Sequence, residues 1–196
     1  MTEPEGAADS PVCTKARRPA ILVTALAVLV WVVDQGTKYL AVRNLTRGER
    51  IDLIGSLFGL RLTRNAGAAF SMATGSTWLL TIIAAAVVIA IVRLAGRLGS
   101  NGWAFALGLL LGGALGNLTD RLTREPGFGR GHVVDFLEFP HWPIFNVADC
   151  CVVTAAVLIG LFSIIGLGID GHRVTGGADD TSDAGDPGGS AKRADV

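Results

Sequence analysis

Two aspartates carry the chemistry that this chain is equipped to do. Asp135 lies in GHVVDFLEF, residues 131–139, between Val134 and Phe136. Apolar neighbours of that kind hold water away from a carboxylate and raise its pKa. Asp149 lies in FNVADCCVV, residues 145–153, at the mouth of a run that otherwise reads as a membrane span. A carboxylate in hydrocarbon is costly, so a functional role is its default reading. Only the short stretch EFPHWPIFN joins the two, and it can fold back so that both acids face one cavity. Two carboxylates a few ångströms apart cannot both ionise, so the pair shares a proton. The ionised member then activates water as a general base, and the protonated member polarises a carbonyl. This is aspartic-protease chemistry, and it calls for no metal, cofactor, cysteine or serine. Taken alone, Asn146 and Asp149 also read as helix capping, an N-cap followed by an acid at the positive end of the dipole.

Other polar residues stand where a span would not want them. In VVDQGTKYLA, Asp34 and Lys38 are one helical turn apart and can neutralise each other, anchoring the first span or serving the site. In LTRNAGAAFS, residues 62–71, Asn65 sits beside Ala66, Gly67, Ala68 and Ala69, small residues that let a backbone or a ligand approach closely. In GGALGNLTDR, residues 112–121, three glycines offer a packing face. Asn117, Asp120 and Arg121 follow on one side of the same helix, with Asp120 and Arg121 open to reading as an interfacial ion pair. Asn65, Asn117 and Asn146 can hold an extended substrate backbone, supplying hydrogen bonds that a bilayer cannot. Arg121 can neutralise part of the carboxylate cluster or bind a lipid head group. Phe136, Phe139, Trp142 and Phe145 suit an interfacial aromatic belt. His132 reads as structural, and Cys150 and Cys151 read as small apolar helix residues.

Four apolar segments must position these groups. Half of the 196 residues are hydrophobic and 17% are charged, which fits a small polytopic membrane protein. The formal net charge is zero, so nothing points to nucleic acid as a partner. Spans of about 20 residues fit residues 19–42, 76–95, 102–122 and 144–169. They form one domain, 19–169, between a polar terminus, 1–18, and a Gly-, Asp- and Ser-rich tail, 170–196, expected to be disordered. An even number of spans places both termini on one side. In an up-down-up-down bundle every polar cluster then meets at the end that carries the two long loops. Residues 50–63, RIDLIGSLFGLRLT, predict a short hairpin at that membrane surface. Charge does not orient the bundle, because eight Lys or Arg lie on the terminal side and eight Arg on the long-loop side. A small proton-coupled transporter is the rival reading, but it would place its acids near the midplane. A purely structural assembly subunit is a second, in which replacing Asp135 or Asp149 would mainly disturb folding.

Together, DQGTK at 34–38, NAGAAFS at 65–71, GGALGNLTDR at 112–121, HVVDF at 132–136 and FNVAD at 145–149 resemble the bacterial lipoprotein signal peptidase family, signal peptidase II. Five motifs in order over residues 34–149 make the likeness specific. It implies an all-α membrane protein, a four-transmembrane-helix bundle with a small extracytoplasmic β-cradle and a lid loop. It implies Asp135 and Asp149 as the catalytic dyad, and Asp34, Lys38, Asn65, Gly67, Asn117, Arg121 and Asn146 as supporting or substrate-binding residues. The implied substrate is a prolipoprotein already carrying diacylglycerol on its cysteine, cut just before that cysteine. The implied setting is the inner membrane, with cytoplasmic termini, surrounding lipid and a monomeric enzyme sensitive to globomycin. The hairpin over 50–63 matches the cradle, and the stretch holding Asp135 matches an amphipathic lid region. The segment LTREPGFGR is longer than a minimal loop of this kind.

Overall fold

The computed structural model describes residues 12–67 and 77–173. Most of the expected tail, residues 174–196, and the end of NAGAAFS lie outside the described residues. The elements run α1 (Val12–Asn44), β1 (Arg50–Ile54), β2 (Phe58–Asn65), α2 (Thr77–Ala95), α3 (Asn101–Thr123), β3 (Val133–Glu138) and α4 (Val147–Ile164). All four helices are long and apolar enough to cross a membrane.

The helix bounds depart from the hydropathy bounds for local reasons. Helix α1 runs back to Val12, through Pro19. Hydropathy stops at Lys15, Arg17 and Arg18, but helix propensity does not, since Lys and Arg are good helix formers. Helix α4 begins later than its apolar run because Asn146 caps it, and it ends at Ile164 with Gly166 in the left-handed region (φ 68°). Ser100 caps α3 by accepting from the Trp103 N–H.

Helix α3 is the centre of the bundle. Eleven of its residues are buried, against two on each of α2 and α4. Val23, Ala27, Ile91, Leu98, Ala104, Leu107 and Leu111 form the main apolar core around it. Large side chains on α1, α2 and α4, such as Leu29, Ile82 and Val157, remain exposed, as lipid-facing residues do. With lipid outside, the apolar effect does not drive helices together, and close packing of small residues must. Gly112 lies against the Ala27 carbonyl and Val30 of α1, and Gly113 against the Ala148 carbonyl and Val152 of α4. A Cβ on Gly112 would stand 2.8 Å from the Ala27 oxygen and 2.6 Å from Val30 Cβ. Gly112→Val is therefore expected to destabilise the bundle by roughly 1–3 kcal/mol through overpacking. Thermal unfolding in detergent measures this, and an unchanged midpoint would contradict the packing argument.

The strands make one antiparallel sheet in the order β1-β2-β3. Strand β3 sits at the loop end of the bundle, with Val134 and Phe136 packed on Ala41 of α1. The expected hairpin over 50–63 is β1 and β2. Asp135, matched above to a lid-like stretch, instead lies inside strand β3, with Thr63 of β2 as its register partner. The strand escapes a sequence reading because its first four residues are all buried. With both faces covered, no polar–apolar alternation marks it.

Candidate active site

The long-loop ends of α1, α3 and α4 and the edge of the sheet bring one continuous polar cluster together. At its base is Lys38, fully buried. Its ammonium lies 2.8 Å from Asp34 Oδ2, 3.0 Å from Asp120 Oδ2 and 3.0 Å from Asn117 Oδ1. An ammonium has three protons, and here each has an acceptor. Asp34 also accepts the Ala148 N–H at 2.9 Å, tying α1 to the first turn of α4. Gly116 makes this approach possible, since a Cβ there would run into the Asp34 carboxylate.

Asp120 resolves differently from its sequence reading. It pairs with Arg124 at 2.5 Å and with Lys38, not with Arg121. Adjacent helical residues do not face each other, whereas residues four apart do, so the spacing to Arg124 was the available signal. Asp120 also accepts the Val134 N–H at 3.1 Å and so fixes the backbone one residue before Asp135.

Two asparagines carry the geometry from this base to the two aspartates. Lys38 can only donate, so the Asn117 oxygen must face it. The Asn117 amide then points the other way and donates to Asp149 Oδ1 at 2.8 Å. Asn146 caps α4 in a reciprocal capping box. Its Oδ1 accepts the Asp149 N–H at 3.0 Å, and its own N–H donates to Asp149 Oδ2 at 3.2 Å. With that oxygen engaged, the Asn146 amide donates to Asp135 Oδ1 at 2.6 Å. Capping and site geometry are thus the same set of bonds. One buried asparagine bridges both carboxylates.

Asp135 receives a second donor, Asn65 Nδ2, at 2.9 Å on its other oxygen. Asn65 ends β2 opposite Val133 and accepts the Gly67 N–H at 2.8 Å, closing a turn in which Gly67 takes φ 115°. Only 1% of Asp135 is exposed. Burial is the largest influence on it and pushes its pKa up to about 6, the Asn65 hydrogen bond opposes this, and the nearby Asp149 charge adds to it.

Arg121 is half-buried and close enough to feel the charges of Asp149, Asp135 and Asp120. Its Nη1 reaches the Asn117 carbonyl only at 3.5 Å, and its buried Nε has no hydrogen-bond partner among the described residues. The belt residues Phe139 and Phe145 stack at 5.9 Å beside the site, while Trp142 is largely exposed. Arg124 and Gln35, which the sequence reading did not single out, join the cluster. Gln35 bonds both Asp34 and the Gly116 carbonyl. Among the described residues, no group of three His, Cys, Asp or Glu converges to hold a metal.

Comparison with known proteins agrees with this architecture. A family model for Signal peptidase (SPase) II matches residues 26–165. The lipoprotein signal peptidase of Rhodococcus jostii (strain RHA1) is 51% identical over 171 residues, covering 87% of this chain and 85% of that protein. That of Mycobacterium tuberculosis (strain ATCC 25618 / H37Rv) is 48% identical over 169 residues, covering 86% and 84%. A bacterial membrane enzyme solved by the in meso method at 2.3 Å superposes with a TM-score of 0.65 at 30% identity, over 72% of this chain and 87% of that one. With the match running from within α1 to the end of α4 and through every element of the polar cluster, this chain belongs to the signal peptidase II family.

Proposed function

We propose that the chain is an aspartic endopeptidase that removes the signal peptide from diacylglyceryl-modified prolipoproteins, cutting just before the lipidated cysteine. The observation that carries the reading is Asn146, whose amide donates to the Asp135 carboxylate and whose backbone N–H donates to the Asp149 carboxylate at the long-loop end of the bundle. Charge balance supports a single shared proton. The cluster holds four carboxylates, Asp34, Asp120, Asp135 and Asp149, and three cations, Lys38, Arg121 and Arg124. One proton on the acids makes it neutral, and below about pH 6 Asp135 takes it, because burial lifts its pKa to about that value.

In the reaction, Asp149 removes a proton from water, and the oxygen attacks the scissile carbonyl. Asp135 donates its proton toward the carbonyl oxygen, giving a neutral tetrahedral diol. The proton on Asp149 passes to the leaving amine of the cysteine as the C–N bond breaks, and Asp135 recovers its own as the carbonyl reforms. Asn65, Asn117 and Asn146 hold the dyad, and Asn65 and Gly67 border the space where an extended substrate backbone would lie. Arg121, without an acid at ion-pair distance among the described residues, balances the dyad charge. The enzyme works as a monomer in lipid. The site faces the extracytoplasmic side, with both termini, including residues 1–18 and 170–196, cytoplasmic.

Purified protein should release the signal peptide from a diacylglyceryl-modified precursor and not from the unmodified one, with globomycin blocking release. Equal cutting of both would remove the lipid requirement, and cutting of neither would remove the peptidase reading. The rate should also depend on pH. Because the working form of Asp135 is the protonated one, kcat/KM falls as pH rises through about 6. Substrate excludes water further, so the limb in kcat lies at higher pH than the limb in kcat/KM. A kcat/KM that rises across that range would assign the proton to Asp149 instead. The same raised pKa has a stability sign: its contribution is complete below the ordinary 3.8 and is lost as pH climbs through about 6.

A further inference from the structure

A crevice of about 250 Å³ lies between the end of α1 and the sheet. Leu40, Ala41 and Leu45 form one wall, Leu60 of β2 and Phe136 of β3 the other. Its two polar residues do not offer themselves to a ligand. The Thr37 hydroxyl bonds the Val33 and Asp34 carbonyls, and the Asn44 amide bonds the Leu40 carbonyl. The interior therefore suits hydrocarbon. It is also smaller than the roughly 300–1,000 Å³ of a typical small-molecule site, so it fits a slender chain and not a head group. Leu40 is 56% exposed on a membrane-crossing helix, so the crevice opens toward lipid.

The rim supplies a charge argument. Arg43 immediately precedes Asn44, and Arg47 follows Leu45 by two residues. Both are exposed, and neither has an acidic partner among the described residues. By contrast, Arg50, Arg61, Arg64 and Arg124 at the same end each pair with an acid. Arg43 donates to the Tyr39 hydroxyl at 3.0 Å, an arrangement that sets a cation at the level where tyrosines mark a bilayer interface.

We propose that this crevice is a resident-lipid site that takes an acyl chain of an anionic phospholipid, with the phosphate on Arg43 and Arg47. Neighbouring strand residues point to opposite faces, so Phe136 faces the crevice from behind Asp135. The occupant is thus a lipid bracing the back of β3, and not the substrate's own diacylglyceryl chain, which must lie on the dyad side.

The test uses the full chain in nanodiscs of equal phosphatidylglycerol and phosphatidylcholine, with retained lipid counted by native mass spectrometry. Wild type is expected to keep phosphatidylglycerol preferentially. Arg43→Gln with Arg47→Gln lowers that preference, by about fivefold for each arginine. Leu45→Trp fills the crevice and loses the lipid with both arginines intact. Wild-type preference in the double variant, or wild-type retention in Leu45→Trp, overturns the proposal. If Leu45→Trp does not fold, the two surface arginines decide alone. A photoreactive acyl chain is expected to label residues 37–45. Labelling of that stretch instead by a precursor carrying the photoreactive group on its diacylglyceryl chain assigns the crevice to substrate and also overturns it.

Discussion

Asp135→Asn and Asp149→Asn are each expected to lower kcat on a lipidated precursor by about 10³-fold or more, while the protein still folds. The size follows from the double use of each group. In the proposed mechanism each moves a proton in formation of the tetrahedral diol and again in its collapse, and acid–base roles are worth roughly 10²–10⁴ each. Folding survives for reasons specific to each site. In Asp135→Asn the new amide would face two amide donors, Asn65 and Asn146, with only one oxygen. One of those contacts is lost, at about 1–3 kcal/mol. Against this, near neutral pH the wild type holds a buried carboxylate above its pKa of about 6, and the variant does not. Asp149→Asn keeps one oxygen for the capping box or for Asn117, and a lost cap costs about 1 kcal/mol. Asp52→Asn, at an exposed acid on β1, is the control and should cut at the wild-type rate. Normal cutting by either dyad variant would remove that residue from the chemistry. Loss of both cutting and folding would favour a structural role, which thermal unfolding of the same samples distinguishes.

Much of this arrangement is legible in the sequence, and the parts that are not share a cause. Four apolar runs and two long loops on one side are enough to bring Asp34, Lys38, Asn65, Asn117, Asp135 and Asn146 to one end of a bundle. What one-dimensional patterning could not show is which group each one touches. Strand β3 carries no alternation because the bundle covers one face and the sheet its other surroundings. The orientation of the Asn117 amide depends on Lys38 and Asn146, 79 and 29 residues away. Asp120 beside Arg121 invites a pair that helical geometry forbids, and the acid turns instead to Arg124 and across to α1. Residues 170–173, counted with the tail, fold back so that Ile169 and Asp170 lie against Gly99, at the opposite end from the dyad.

Lys38→Met is expected to destabilise the molecule by roughly 3–5 kcal/mol, because it removes the cation from between two buried carboxylates. Asp34 would lose its one ion pair among the described residues, and Asp120 would keep Arg124 alone. The Asn117 oxygen would lose its shorter donor and keep only the Asn146 amide at 3.2 Å, so the bond to Asp149 would be held less firmly. The two effects separate in the double variant Asp34→Asn with Lys38→Met. Removing both charges of a buried pair costs far less than removing one, so thermal stability should recover in part. Activity should recover less than stability, because the Asn117 oxygen is then held by the Asn146 amide alone. Stability and activity returning together would mean that Lys38 serves only to hold α1 to α3. Stability returning alone would mean that the lysine positions Asp149 through Asn117, at a distance of two hydrogen bonds from the reacting atoms.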